Sequence, residues 1–133
     1  MTPTILYVED HPDNMTLVRR ILQSQGYTLI EANTGSKGIL IAETQDLDVI
    51  LLDVNLPDID GHEVARRLRT SKKTSLATVP IIAVTANAMK GDAQKALDAG
   101  CSLYMSKPIN IQELIEKVND FLIRKYEEIN HDA

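Results

Sequence analysis

Four short apolar runs in this chain each stop on residues able to do phosphate or cation chemistry. Ile5-Leu6-Tyr7-Val8 leads into Glu9-Asp10, and Val49-Ile50-Leu51-Leu52 leads into Asp53. Ile81-Ile82-Ala83-Val84 leads into Thr85, and Leu103-Tyr104-Met105 into Ser106-Lys107-Pro108. Three acids, a hydroxyl and a lysine gathered at one place would hold a cation and a phosphoryl group. Two unit charges about 4 Å apart repel by about 4 kcal/mol at an effective dielectric of 20. Gathered carboxylates therefore raise a pKa or take up a counterion. Mg2+ prefers hard oxygen ligands and keeps positions for water and phosphate. A lone strand-end Asp is ordinarily a solvated loop acid, a lone Thr a turn former, and a lone Lys a surface charge. The four ends together point to chemistry.

Lys107 carries an added signal. The proline after it permits a cis bond at a cost of only about 0.5–1 kcal/mol. Such a bond would bend the chain so that the ammonium points into the acidic pocket. There it would offset carboxylate charge at rest and bind a phosphoryl oxygen after transfer. Thr85 would donate its hydroxyl to the same group.

These residues need elements to position them. The apolar runs predict strands over 4–9, 28–32, 48–53, 80–85 and 102–106. Helix-period segments predict helices over 13–25, 36–44, 61–69, 91–99 and 111–126. The first carries Met15, Val18 and Leu22 on one side, with Gly26 as its stop. The last carries Leu114, Ile115, Val118 and Leu122 at the spacing of a buried face. Five alternating units imply an α/β fold, doubly wound, with a parallel sheet covered on both faces and right-handed crossovers. Ligands of such sheets bind at the carboxyl ends of the strands. If the first and third strands are neighbours, about 4.7–4.9 Å apart, the three carboxylates converge.

At 133 residues the chain suits one domain, placed at 1–126 with 127–133 as a C-terminal tail, frayed over Asn130-His131-Asp132-Ala133. No apolar stretch approaches the roughly 20 residues of a bilayer span, and no secretory signal is visible. The single cysteine, Cys101, excludes an intramolecular disulfide and fits a reducing, cytoplasmic setting. A net charge of -5 disfavours direct nucleic-acid binding. Arg66, Arg67, Arg69, Lys72 and Lys73 read as a solvated helix face and loop more than as a nucleic-acid patch. His11, His62 and His131 show no metal-ligand spacing. Cys101 reads as a small, partly buried residue.

At this point the chain resembles the receiver (response-regulator) family of two-component signalling, the chemotaxis-Y-like domains. The resemblance rests on Val8-Glu9-Asp10, on Leu52-Asp53-Val54-Asn55-Leu56-Pro57 with Gly61 after it, on Val84-Thr85-Ala86, and on Ser106-Lys107-Pro108. It covers essentially the whole sequence. It implies a five-stranded sheet of order 2-1-3-4-5, with Asp53 as phosphoacceptor. It implies Mg2+ as cofactor, held by Asp10, Asp53 and the backbone carbonyl of Asn55, with Glu9 acting through a water. Thr85 and Lys107 would hold phosphoryl oxygens, and Tyr104 would be the switch aromatic that turns inward with Thr85. The implied partners are a sensor histidine kinase or a histidine phosphotransfer protein. A downstream protein target would contact the face of the fourth helix, fifth strand and fifth helix. No direct DNA or membrane binding is implied. The chain would promote its own phosphorylation and dephosphorylation without being a metabolic enzyme.

The stretch from Pro80 to Asp92, and Asn14 four residues after Asp10, look like stand-alone phosphorelay receivers and receivers of hybrid kinases. Glu9 departs from the Asp of many members. Asn87, two residues after Thr85, stands where hydrolysis of the phosphate is tuned. The leading expectation is a single-domain regulator. The alternatives are a receiver excised from a hybrid histidine kinase, an aspartate-nucleophile phosphatase, or a degenerate receiver that binds partners unphosphorylated. The phosphatase needs a general acid near the nucleophile, which Asn55 does not supply. The degenerate reading is disfavoured by the intact acid, Thr and Lys set.

Overall fold

The apolar runs lack the alternation of half-exposed strands, so they fold where both sheet faces are covered. The computed structural model describes residues 2–86 and 91–131; Asn87 lies outside the described residues. The order is β1 (Thr4–Val8), α1 (Pro12–Ser24), β2 (Thr28–Ala32), α2 (Gly35–Thr44), β3 (Val49–Asp53) and α3 (Gly61–Arg69). Next come a 3-10 turn (Thr74–Ala77), β4 (Ile81–Thr85), α4 (Asp92–Asp98), β5 (Leu103–Ser106) and α5 (Ile111–His131). The strands pair in parallel in the order β2-β1-β3-β4-β5. This is the doubly wound α/β sheet expected. β3 and β4 are buried at every residue.

Strand parity divides the core in two. Leu6, Val8, Ile50 and Leu52 pack with Ala42 of α2, Val64 and Leu68 of α3 and Ala96 of α4. Ile5, Tyr7, Val49 and Leu51 pack with Met15, Val18 and Leu22 of α1 and with Leu114 and Val118 of α5. Register then sets the site. Val8 pairs with Leu52, Asp53 with Val84, and Thr85 with Ser106. The functional residues thus leave adjacent strands at one edge.

Element ends fall within one residue of expectation except at the end of α5. α1 begins one residue early, at Pro12, where a missing N–H costs nothing. A 3-10 turn fills 74–77. α5 runs to His131 rather than ending at Tyr126, so 127–131 is helix and not frayed coil. No Gly or Pro interrupts Glu127-Glu128-Ile129-Asn130-His131, and both glutamates are good helix formers.

In the basic stretch Arg69 and Lys73 are tied to the main chain, while Arg66, Arg67 and Lys72 stay exposed. Arg66 and Arg67 bond Glu63 at 3.0 and 3.1 Å. Arg69 donates to the carbonyls of Gly100 and Leu76 at 2.8 and 2.9 Å. Lys73 donates to those of Ala42, at 3.0 Å, and Gln45.

One glycine is required by close approach. A Cβ on Gly61 would lie 2.5 Å from the Asp53 carbonyl oxygen and 2.6 Å from Val54 Cα. Both are backbone atoms and cannot swing aside. Gly61→Ala is expected to lift the start of α3 off the end of β3, costing about 1–3 kcal/mol as overpacking does. Thermal unfolding should show a lower midpoint. An unchanged midpoint would contradict this packing account.

Candidate phosphoryl-transfer site

Glu9, Asp53 and Thr85 are 1%, 2% and 1% exposed, in a core otherwise apolar. Such burial costs free energy unless the groups are bonded or paired, and here they are. Glu9 Oε1 accepts from the Tyr7 hydroxyl at 3.0 Å and from Asn14 Nδ2 at 3.1 Å. The same oxygen lies 3.3 Å from Lys107 Nζ. Glu9 Oε2 takes a longer contact, 3.5 Å, from the His11 N–H. Asp53 Oδ1 accepts from the Asn55 N–H at 3.0 Å, and Oδ2 lies 3.2 Å from Lys107 Nζ. The Lys107–Pro108 bond is cis. The Lys107 N–H donates to the Thr85 carbonyl at 2.7 Å, which ties the end of β5 to the end of β4.

Glu9, Asp10 and Asp53 each offer a carboxylate oxygen within 4.8 Å of the others, and Asp10 is the exposed member. Three hard oxygen donors with one open side suit Mg2+. A cleft of about 440 Å³, lined by Glu9, Asp10, His11, Asn33 and Lys37 among others, opens beside them.

The charges are strongly coupled. Burial pushes the Asp53 carboxyl up to about 7, and its hydrogen bond and repulsion with Glu9 add to this against the Asn55 N–H and Lys107. Glu9 is also buried, which by itself would raise it. Bonding from Asp53, the Lys107 charge and bonds from Tyr7 and Asn14 outweigh that and hold Glu9 well below the carboxylate range. The metal-free Glu9–Asp53 pair therefore holds one proton near neutrality. Lys107 loses by burial but gains more from Asp53 and Glu9, so it stays charged.

A pH dependence of metal binding follows. Below about pH 7 a cation would have to displace that proton; above it the pair is already fully ionised. Mg2+ affinity is expected to fall about tenfold per pH unit below pH 7 and to level off above it. Calorimetric titration in buffers of different ionisation enthalpy should count one proton released on the acid side and none on the alkaline side. A dissociation constant independent of pH would contradict the shared proton.

Of the other expected residues, Asn55 is exposed and lends its backbone N–H to Asp53. Tyr104 packs against the core on the α2–α3–α4 side. Its hydroxyl is buried with no hydrogen-bond partner among the described residues. His11 is exposed, His62 Nδ1 lies 3.2 Å from Asp60, and Cys101 is buried. Sequence reasoning missed the Tyr7 hydroxyl. The signal was there: residues two apart on a strand point the same way, so Tyr7 shares a side with Glu9.

Sheet order and the groups at its carboxyl edge together define a receiver-type signalling domain. The chain belongs to the response regulator receiver domain family, whose model matches residues 5–119. It is 38% identical over 122 residues to the polar-differentiation response regulator DivK of Brucella ovis, across 92% of this chain and 98% of that protein. The receiver domain of the sensor histidine kinase PA1611 from Pseudomonas aeruginosa PAO1 was solved with magnesium coordinated in its active site cleft. It matches with a TM-score of 0.83 at 37% identity, over 91% of this chain and 98% of that one. The receiver domain of Ssk1 from Saccharomyces cerevisiae was solved with the histidine phosphotransfer protein Ypd1. It matches with a TM-score of 0.82 at 30% identity, over 90% of this chain and 88% of that one. The family is one of signalling receivers, not of metabolic enzymes. Among the described residues no helix is long and apolar enough to cross a membrane.

Proposed function

We propose that this chain accepts a phosphoryl group on Asp53 from a phosphohistidine and passes the signal on by protein contact. The carrying observation is the Asp53 carboxylate, buried at the end of β3 beside Glu9 and 3.2 Å from the Lys107 ammonium. Asp10, Asp53 and the Asn55 backbone carbonyl would hold Mg2+, with Glu9 acting through a water. Bound there, Mg2+ supplies positive charge that offsets nucleophile and phosphate.

The chain contributes positioning and charge. A carboxylate oxygen of Asp53 attacks phosphorus in line, the P–N bond to the donor imidazole breaks, and the imidazole leaves with the bonding pair. The Asn55 N–H holds Oδ1 and so orients the nucleophile. Lys107 shifts from the two carboxylates to a phosphoryl oxygen, and the Thr85 hydroxyl donates to another. The acyl phosphate is later hydrolysed or handed to another histidine. Thr85 and Lys107 bind the phosphorylated form more strongly, so phosphorylation biases a two-state equilibrium. Tyr104 turns with Thr85, and the face of α4, β5 and α5 carries the change to a protein target.

The Ssk1 receiver solved with Ypd1 supports a kinase or histidine phosphotransfer protein as donor. The likeness to DivK, named as a response regulator, supports a stand-alone phosphorelay role, and the likeness to the PA1611 receiver keeps a hybrid-kinase receiver as the second reading. The test is incubation with a phosphorylated histidine phosphotransfer protein, with and without chelator. One phosphoryl group per chain, taken up only with Mg2+ present, is expected. No uptake would overturn the proposal, and steady turnover of phosphomonoesters would favour a phosphatase.

A further inference from the structure

We propose that Tyr7 is a positioning residue for the cation site, acting through Glu9. This rests on the reading that the three carboxylates bind Mg2+. Tyr7 is fully buried, its ring in the cluster shared with α1 and α5. An apolar side chain would fill that position without the cost of burying a hydroxyl. The hydroxyl instead bonds Glu9 Oε1 at 3.0 Å, so its place in the core serves the acid.

Glu9 needs such a tether. Glutamate has one more rotatable bond than aspartate, and a cation site requires its ligands held in place. Tyr7 from β1 and Asn14 from α1, at 3.0 and 3.1 Å, grip the same oxygen, with Lys107 at 3.3 Å. Oε1 is thereby committed to the protein. Oε2 takes the longer 3.5 Å contact from the His11 N–H and would then serve the cation side. An aspartate at this position would be shorter by about 1.5 Å, and the tyrosine hydroxyl would not reach it. Tyr7 and Glu9 therefore form a matched pair.

The test is Mg2+ affinity by calorimetry in a double-mutant cycle of Tyr7→Phe and Glu9→Asp. Tyr7→Phe keeps the ring and is expected to weaken Mg2+ binding about tenfold, as loss of an outer-shell partner does. In the Glu9→Asp background the same change should cost no more than about twofold, since the bond it removes is already gone. A purely structural tyrosine would give equal losses in both backgrounds, and that overturns the proposal. So does an unchanged affinity in Tyr7→Phe when the wild type binds Mg2+. If the wild type binds none, the site reading falls and this inference with it. A second measurement leaves Tyr7 in place. Its ring Cζ resonance should move on Mg2+ addition in the wild type and stay put in Glu9→Asp; a wild-type resonance that does not move counts against the pair.

Discussion

Asp53→Asn is expected to abolish phosphoryl uptake while leaving the fold intact. The amide keeps the volume at a site that is 2% exposed but offers no anionic oxygen to attack phosphorus. A second effect has a definite sign. Burial and Glu9 raise the folded Asp53 pKa to about 7 from an ordinary 3.8. Between those values the unfolded chain loses this proton and the folded chain keeps it, so metal-free stability declines with rising pH. Above pH 7 the full cost is present. Asp53→Asn removes that cost. Its metal-free melting point should exceed the wild type's at pH 8 and approach it at pH 4. Full phosphoryl labelling of the variant, or a lower melting point at pH 8, would contradict this account of Asp53.

Lys107→Met is expected to fold and to take up phosphate at least about a hundredfold more slowly. Methionine keeps the unbranched apolar stem that the lysine packs and removes the ammonium. The ammonium lies 3.3 Å from Glu9 and 3.2 Å from Asp53, both buried acids. In the proposed transfer a phosphoryl oxygen would come within its reach. Losing one preorganised donor to a developing oxyanion costs about 10²–10³ in rate. Single-turnover uptake from a small phosphodonor, with circular dichroism to verify the fold, is the check. A loss below tenfold would remove Lys107 from the transfer step.

Much of this was legible in the residues because strand ends are a local signal. Val8 before Glu9, Leu52 before Asp53 and Val84 before Thr85 each mark where the apolar run stops and the sheet edge begins. The pairing of β1 with β3, which brings Glu9 to Asp53, is not local; it came from the resemblance and is seen in the register Val8↔Leu52. Tyr7 was hidden for the opposite reason. In an apolar run a tyrosine reads as ring volume, which masks its two-residue spacing from Glu9. Arg69 and Lys73 read as solvated charges, yet they bond carbonyls 31 residues away, at Gly100 and Ala42. Such contacts leave no periodicity to read. The extra turns of α5 were missed because charged residues at a chain end read equally as helix or tail.

The central claim is that Asp53 itself carries the phosphoryl group. Borohydride reduces an acyl phosphate to an alcohol and leaves a free carboxylate untouched, so it converts a phosphorylated aspartate to homoserine. Reductive trapping of the phosphorylated chain, followed by peptide mass spectrometry, reads the position directly. The expected result is homoserine at position 53 alone, formed only when Mg2+ and a phosphodonor were both present. Homoserine at Asp10, or phosphate retained on a histidine, serine or threonine with Asp53 unmodified, would contradict the account.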